Sequence, residues 1–250
     1  MNSTPRHSGR GQAFTRCVRV HALGGTLWAL FGVSALLMFK ASEEPLIGPL
    51  QGTWIEVVLT SFPVGNQIVF NMAIGVLVSQ IMYMLVVWLP ANAKRKRIRK
   101  NLQHHYALFK EQCIYQLLFA SDGAADPKVV EDLADIKKFR AYFAAIGPSG
   151  GEKWYDVMNG LEAGHVSSIV VELGILAEEL KYTLAAIDVG EDEVYAFLKR
   201  LNRAIVVLRD GSENSDVEYL ANFLWELFAG WSVVTGYQDG DFVMDRIDKL

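Results

Sequence analysis

The sequence has few of the residues on which disulfide scaffolds and fibrous or disordered chains depend. Its 250 residues include two cysteines and seven prolines. Neither cysteine has a C-x-x-C partner, so a disulfide framework is excluded, and the average composition also excludes collagen and low-complexity disorder. Because 51% of the residues are apolar, the chain can bury the core of one or two domains.

Motifs for common catalytic and metal-dependent chemistry are also missing. The sequence has no H-E-x-x-H, no Walker-type G-x-x-x-x-G-K-S/T and no G-x-G-x-x-G. His104 and His105 are neighbours, which do not share a helical face, and the one Glu-x-x-His spacing, Glu162 to His165, crosses Gly164. We therefore predict no catalytic residue, no metal site and no cofactor. The less favoured alternative is an enzyme whose site forms only through tertiary contacts, such as a lipid-modifying activity.

Charge is divided unequally along the chain. Residues 1–110 contain 12 Lys or Arg and 3 Asp or Glu, a net charge of +9, whereas residues 111–250 contain 12 and 25, a net charge of −13. An acidic domain repels phosphate groups. Nucleic acid is therefore not expected as a partner.

Two long apolar stretches contain no Asp, Glu, Lys or Arg. They cover residues 20–39 and 68–89, and a helix of about 20 residues spans the roughly 30 Å hydrocarbon core of a bilayer. The two stretches predict a transmembrane hairpin over residues 20–90 with an outer loop at 40–67. The alternative is a pair of buried core helices in a soluble protein. The first stretch is longer than the apolar core of a signal peptide, so we expect an uncleaved anchor.

Basic residues are concentrated on one side of the hairpin. Residues 1–19 form a basic tail with four arginines, whereas the outer loop carries three glutamates and one basic residue, Lys40, at the end of the first stretch. The positive-inside rule therefore predicts a multi-pass protein of the inner or plasma membrane with both termini in the cytoplasm. Six basic residues after the second stretch, the basic collar, are expected to contact anionic lipid headgroups. They are Lys94, Arg95, Lys96, Arg97, Arg99 and Lys100.

Small and amide residues share one face of the second stretch. Asn71, Gly75 and Ser79 recur every four residues, and Gln80 follows. Small residues allow helix backbones to approach, and amides form hydrogen bonds across the contact. This face predicts transmembrane packing, either within the hairpin or between copies of the chain in a homo-oligomer.

The rest of the chain predicts an all-α, antiparallel helical bundle. Residues 91–120 are predicted to form the collar and a connecting helix, and residues 121–250 an acidic bundle domain. Asp126 before Pro127 predicts the start of a helix that ends at the glycines from Gly147. Apolar residues then recur in steps of three and four over 166–187, 194–208 and 217–234, separated by short breaks. Alternation with a period of two does not occur, so no sheet is expected.

The last predicted helix has more aromatic residues than one buried seam requires. Phe223, Trp225 and Phe228 spread around it, which indicates either central burial or a partner-binding surface, and Glu218 and Glu226 are expected to face solvent. We therefore predict a membrane-anchored interaction or signalling module whose cytoplasmic helical domain binds another protein. The alternative is an oligomeric, membrane-perturbing or channel-forming effector gated by the bundle.

Overall fold

A computed structural model describes most of the chain, which is mostly helical and of the all-α class. The predicted basic tail and most of the predicted outer loop lie outside the described residues. The chain forms two compact units, Met1–Lys94 and Arg95–Leu250. The structure describes residues 25–26, 28–38, 40, 67–211, 217–232 and 236–250.

The first unit contains two apolar helices, α1 (Trp28–Met38) and α2 (Gln67–Tyr83). After α2, the helix widens to a π-helical turn at Met84–Trp88, where the Leu89 N–H bonds the Met84 carbonyl, and then continues as α3 (Leu89–Asp122). Pro90 cannot donate a backbone hydrogen bond and crowds the preceding turn, which accounts for the wider turn.

Most apolar side chains of α1 and α2 are exposed. Trp28 is 64% exposed, Ile68 69% and Met72 67%, whereas Ala73 and Leu77 are buried. Among the described helices, the one from Gln67 to Asp122 is long and apolar enough to cross a membrane. Two consecutive helices of the second unit are also long and apolar enough for one span, but only if they are counted together. The chain bends by 96° between them.

The second unit is a bundle-like assembly around α3. α7 packs along α8, and β1 pairs with β2 as a two-residue antiparallel hairpin. The elements that follow α3 are α4 (Pro127–Leu133), α5 (Ile136–Phe143), α6 (Lys153–Gly160), α7 (Ala163–Ala186), α8 (Asp192–Gly211), α9 (Val217–Phe228), β1 (Trp231–Ser232), β2 (Gly236–Tyr237) and α10 (Phe242–Asp248). The pair of helices with the 96° bend is α6 and α7. Because α7 contributes Ile169, Leu173 and Leu180 to the core, it is a core helix of this unit.

The apolar seams predicted from the sequence contribute to the core. Ile98, Leu102, Phe109, Cys113 and Leu117 of α3 are buried, as expected for apolar residues at helical spacing. Most seam positions of α8, and most of those within α9, are buried with them, whereas α7 buries Leu173, Ala177 and Leu180 of its predicted seam and leaves the other seam positions half-buried. Burial, and to a lesser degree the Glu172 carboxylate, raises the pKa of the Cys113 thiol well above its usual value, which keeps the thiol protonated in the core.

Aromatic rings from four helices meet at the centre of the core. Trp154 of α6 lies 4.8 Å from Trp225 of α9 between ring centroids, and Phe139 of α5 lies 5.7 Å from Phe228. Phe109 of α3 completes the contact at 5.7 Å from Phe228. Trp154 therefore packs against α9.

The helix predicted after Asp126 is divided in two. The Asp126 side chain caps α4 through the Lys128 N–H, as predicted. The Asp135 side chain, however, accepts hydrogen bonds from the backbone N–H groups of Lys137 and Lys138 and starts α5. The bond from Lys138, with that from Lys137, lowers the pKa of Asp135. A capping carboxylate within the apolar pattern thus ends one helix and starts the next.

The last predicted helix ends earlier than its seam. α9 ends at Phe228, Trp231 lies in β1, and Val234 lies outside the described residues. Gly230 adopts a φ of 63°, in the left-handed region that ends helices, and the Arg140 side chain donates to the Ala229 carbonyl at 2.9 Å. The prediction that the chain has no sheet is therefore wrong, because β1 and β2 pair after this helix end.

A buried ion pair joins α3 to the C-terminal helix α10. The Nζ atom of Lys110, which is 5% exposed, lies 3.0 Å from the Asp241 carboxylate. The Tyr106 hydroxyl donates to the same carboxylate at 3.1 Å, and Asp241 also caps α10 by accepting from the N–H groups of Val243 and Met244. Burial, and then the Asp241 charge, raises the pKa of Tyr106 well above its usual value, which keeps its hydroxyl a donor.

Replacing Asp241 tests the contribution of this ion pair. We expect Asp241→Asn to cost about 3 kcal/mol, because it leaves the buried Lys110 ammonium without its counter-charge, whereas Asn keeps the helix cap. Adding Lys110→Met should restore part of the loss. The measurement is the midpoint of thermal unfolding by circular dichroism.

The control is the exposed pair of Lys137 and Asp239, whose side chains are 63% and 92% exposed. Lys137→Met should cost less than about 1 kcal/mol. An equal loss for Lys137→Met and Asp241→Asn would contradict the importance of the buried pair.

Candidate partner-binding groove

A groove of about 700 Å³ lies between α8, α9, the hairpin and α10. α8 and α10 each contribute four residues with the spacing i, i+3, i+4 and i+7, which is one face of a helix. The lining residues are Phe197, Arg200, Leu201 and Ala204 of α8, Phe223, Glu226 and Leu227 of α9, Trp231, Ser232 and Gln238 at the hairpin, and Phe242, Asp245, Arg246 and Lys249 at α10. The groove therefore combines four aromatic rings with charges of both signs.

Arg140 of α5 fixes the hairpin wall of the groove. Its guanidinium donates to the carbonyls of Ala229 at 2.9 Å and Gln238 at 2.8 Å. The same group stacks over the Tyr237 ring, 4.2 Å from the centroid. Trp231, between these anchored points, is thus held at the groove by the core of the unit.

The α10 wall is held by its own contacts to α8 and α3. Phe242 meets Phe197 edge to face at 5.9 Å, and Arg246 lies over the same Phe197 ring and 3.7 Å from Glu193. The Asp241 network anchors the start of α10, and Asp248 at its end accepts hydrogen bonds from α3. The lining charge of Arg246 is therefore already paired.

Glu226 and Arg246 are the two half-buried charges of the groove. Glu226, which was expected to face solvent, is half-buried, whereas Glu218 on the same helix is exposed. Burial raises the pKa of the Glu226 carboxyl group. In the described part of the chain no basic side chain lies within ion-pair distance of Glu226 and no hydrogen bond reaches its carboxylate. Of the lining basic residues outside the Arg246 pair, Arg200 and Lys249 are exposed at the rim.

The three aromatic residues predicted to bind a partner occupy different places. Phe223 is half-buried and lines the groove. Trp225 packs against Phe139 and Trp154, and Phe228 is fully buried. Central burial, the alternative from the sequence, therefore applies to Phe228, whereas Trp225 is half-buried and packs against the core.

The basic collar is divided between solvent and the bundle. Arg95 donates to the Asp188 carbonyl, and Arg99, which is half-buried, donates to the Asp248 carbonyl at 3.3 Å. Both carbonyls lie at the carboxyl ends of helices, where basic groups are favoured. The remaining collar residues, Lys94, Lys96, Arg97 and Lys100, are exposed.

The predicted transmembrane packing face is largely exposed. Asn71, Gly75 and Ser79 are exposed, and Gln80 is half-buried. A Cβ atom at Gly75 would meet nothing within 4 Å, and the Ser79 hydroxyl donates to the Gly75 carbonyl at 2.8 Å. A small groove of about 390 Å³ borders this face, with Leu30 of α1 on its other side. The buried side of α2 is formed instead by Ala73 and Leu77.

A serine within a glycine-rich loop matches a hydrolase motif only by spacing. Residues 147–151 read G-P-S-G-G, the G-x-S-x-G pattern of a nucleophile elbow. That motif requires a strand before the serine and a helix after it, whereas Ser149 follows α5 in an irregular loop and is exposed. Among the described residues, no group of three His, Cys, Asp or Glu side chains could hold a metal ion.

Comparisons with protein-family models, with curated proteins and with solved structures find no match to this chain.

The groove residues outside α9 could not be predicted from the sequence. Phe197, Arg200 and Ala204 lie on a face of α8 next to the predicted seam. Phe242 directly follows the capping residue Asp241, which could have signalled a further short helix. The hairpin brings these residues together, because it reverses the direction of the chain after α9.

Replacing Glu226 by glutamine tests whether the fold itself needs this charge. Because the folded state raises the pKa of Glu226, deprotonation costs stability as the pH rises through the carboxyl range. Glu226→Gln should therefore unfold at an equal or higher temperature than the wild type. The difference should be absent at about pH 3.5, below the carboxyl range, and present at about pH 7, above it.

Glu218→Gln, at an exposed position of the same helix, serves as the control and should change little at either pH. A lower unfolding midpoint for Glu226→Gln at both pH values would show that Glu226 supports the fold and would remove the argument for a binding role.

Proposed function

We propose that this protein is a membrane-anchored interaction module whose acidic helical domain binds a segment of another protein. The observation that carries the proposal is the groove, a half-open site of about 700 Å³ with aromatic walls. Its size is within the range of ligand-binding sites. The domain would lie on the cytoplasmic side of the inner or plasma membrane.

Exposed apolar surface on α1 and α2 supports the membrane anchor. Side chains such as Ile68 and Met72 are about two-thirds exposed. A soluble protein rarely leaves so large a continuous apolar surface in water, so the alternative of two buried core helices is disfavoured. The exposed Lys96, Arg97 and Lys100 follow the apolar part of the helix and suit anionic lipid headgroups.

The bonding of Arg95 and Arg99 supports a helical domain that begins at the basic collar. Within the second unit, these two arginines bond the ends of α7 and α10. The side chains of Gln103 and Asn101 add bonds to Asp248 and Glu179. Within the second unit, the first turns of α3 after Arg95 are thus bonded to α7 and α10 and to the chain just after α7.

Self-association is the second candidate function. The exposed Asn71, Gly75 and Ser79 on α2 favour it, because an amide exposed to lipid is costly and small residues permit close helix contact. An oligomer would be required for the channel-forming alternative, since two helices enclose no pore. Flux through purified protein in liposomes, compared with an Asn71→Leu, Gln80→Leu variant, tests this candidate.

Alanine substitutions on α9 test partner binding. Phe223→Ala should weaken co-purification of the protein that the wild type retains in mild detergent, because it removes an apolar wall of the groove, and should lower the unfolding midpoint only slightly. Trp225→Ala should cost about 3 kcal/mol or more, because it opens a cavity among Trp154 and Phe139. Quantitative mass spectrometry and thermal unfolding check the two effects.

Tyr219→Ala provides the matched control, since Tyr219 lies on the same helix and is 68% exposed outside the groove. Retention of the partner by Tyr219→Ala and its loss with Phe223→Ala support the groove. Equal retention by both variants would contradict it.

A further inference from the structure

We propose that the groove takes an amphipathic helix of the partner protein and that this helix carries an arginine that pairs with Glu226. The inference rests on the proposed function and names the chemistry of the partner at the same site.

The shape of the groove fits a helix. Phe197 to Ala204 on α8 and Phe242 to Lys249 on α10 each present a face about 10 Å long, taking a rise of 1.5 Å per residue. The face of α9 with Phe223 and Leu227 forms the third side. Amphipathic helices bind such apolar troughs by residues spaced three and four apart.

The charge of Glu226 indicates the sign of the partner's polar anchor. Glu226 is half-buried, and no ion pair to it forms within the described chain. Arg246 is already bonded to Glu193, whereas Asp245, Arg200 and Lys249 are exposed. Glu226 is therefore the lining charge that a ligand would neutralise, because it is half-buried and has no bonded partner within the described chain.

The aromatic rings around Glu226 favour arginine over lysine. Phe223 lies one turn before Glu226 on α9, and Trp231 lines the same groove. A guanidinium group can pair with the carboxylate and contact the rings at once. It donates two parallel hydrogen bonds to a carboxylate and stacks on an aromatic face. A lysine ammonium is more strongly hydrated and offers no planar surface.

The fold gives no other explanation for this arrangement. Glu226 caps no helix, and the core beneath it is formed by Leu224, Leu227 and Phe228. A carboxylate held partly out of water without a bonded partner costs stability. Such a cost is expected at a binding site, where the partner supplies the missing group.

The test uses two synthetic peptides and the full chain in phosphatidylcholine nanodiscs, which carry no net charge. Both peptides are 18-residue amphipathic Leu/Ala helices, one with a single arginine on its apolar face and the other with citrulline, the neutral isostere, at that position. Fluorescence anisotropy measures binding. We expect the arginine peptide to bind about tenfold more tightly.

Variants assign the difference to Glu226. Glu226→Gln should abolish the preference for arginine, whereas Glu218→Gln on the exposed side of α9 should keep it. Glu226→Arg should reverse the preference, so that a third peptide with glutamate at the same position binds best. Thermal unfolding of each variant confirms that the domain is folded.

Two outcomes would overturn the inference. One is equal binding of the arginine and citrulline peptides to the wild type, or no binding of either. The other is an arginine preference that survives Glu226→Gln. If Phe223→Ala still releases the natural partner in either case, the proposed function stands and only the arginine assignment fails; if the partner is unaffected by Phe223→Ala, the groove itself is the wrong site.

Discussion

The ion pair between Lys110 and Asp241 is the contact on which the arrangement of the second unit depends. It fixes the start of α10 to the middle of α3 at 3.0 Å, and α10 is one wall of the groove. A short C-terminal helix of seven residues has little propensity to form alone. The helix therefore depends on contacts with the rest of the unit. Asp241 supplies both its N-terminal cap and the ion pair with Lys110.

A second set of contacts turns the chain so that α9 and α10 can face each other. Gly230 permits the left-handed turn after α9, and Arg140 bonds carbonyls on both sides of the hairpin. Without this turn, α9 would continue as a helix beyond Phe228, as the spacing of its apolar residues predicts. The groove is thus a consequence of how the last helix ends.

Sequence patterns predicted the parts of the fold that depend on local spacing. The buried seam of α3 and the Asp126 cap follow from three- and four-residue steps and from capping chemistry. The break at Asp135 and the hairpin at Trp231 do not follow from the spacing of apolar residues. Each depends on a side chain, that of Asp135 or Arg140, that forms hydrogen bonds to backbone groups. The burial of Lys110 and the partial burial of Glu226 could not be predicted from the sequence. Whether such a charged side chain is buried, and whether it forms an ion pair, depends on residues that are distant in the sequence.

We propose that the helix from Gln67 crosses a membrane and that the helical domain lies on the cytoplasmic side. The most direct measurement is thiol labelling of single cysteines, Gly52→Cys or Tyr219→Cys, in a chain with Cys17→Ser, since Cys113 is fully buried. If the proposed orientation is right, a membrane-impermeant maleimide labels Gly52→Cys in intact cells and labels Tyr219→Cys only after permeabilisation. Labelling of Tyr219→Cys in intact cells would contradict it.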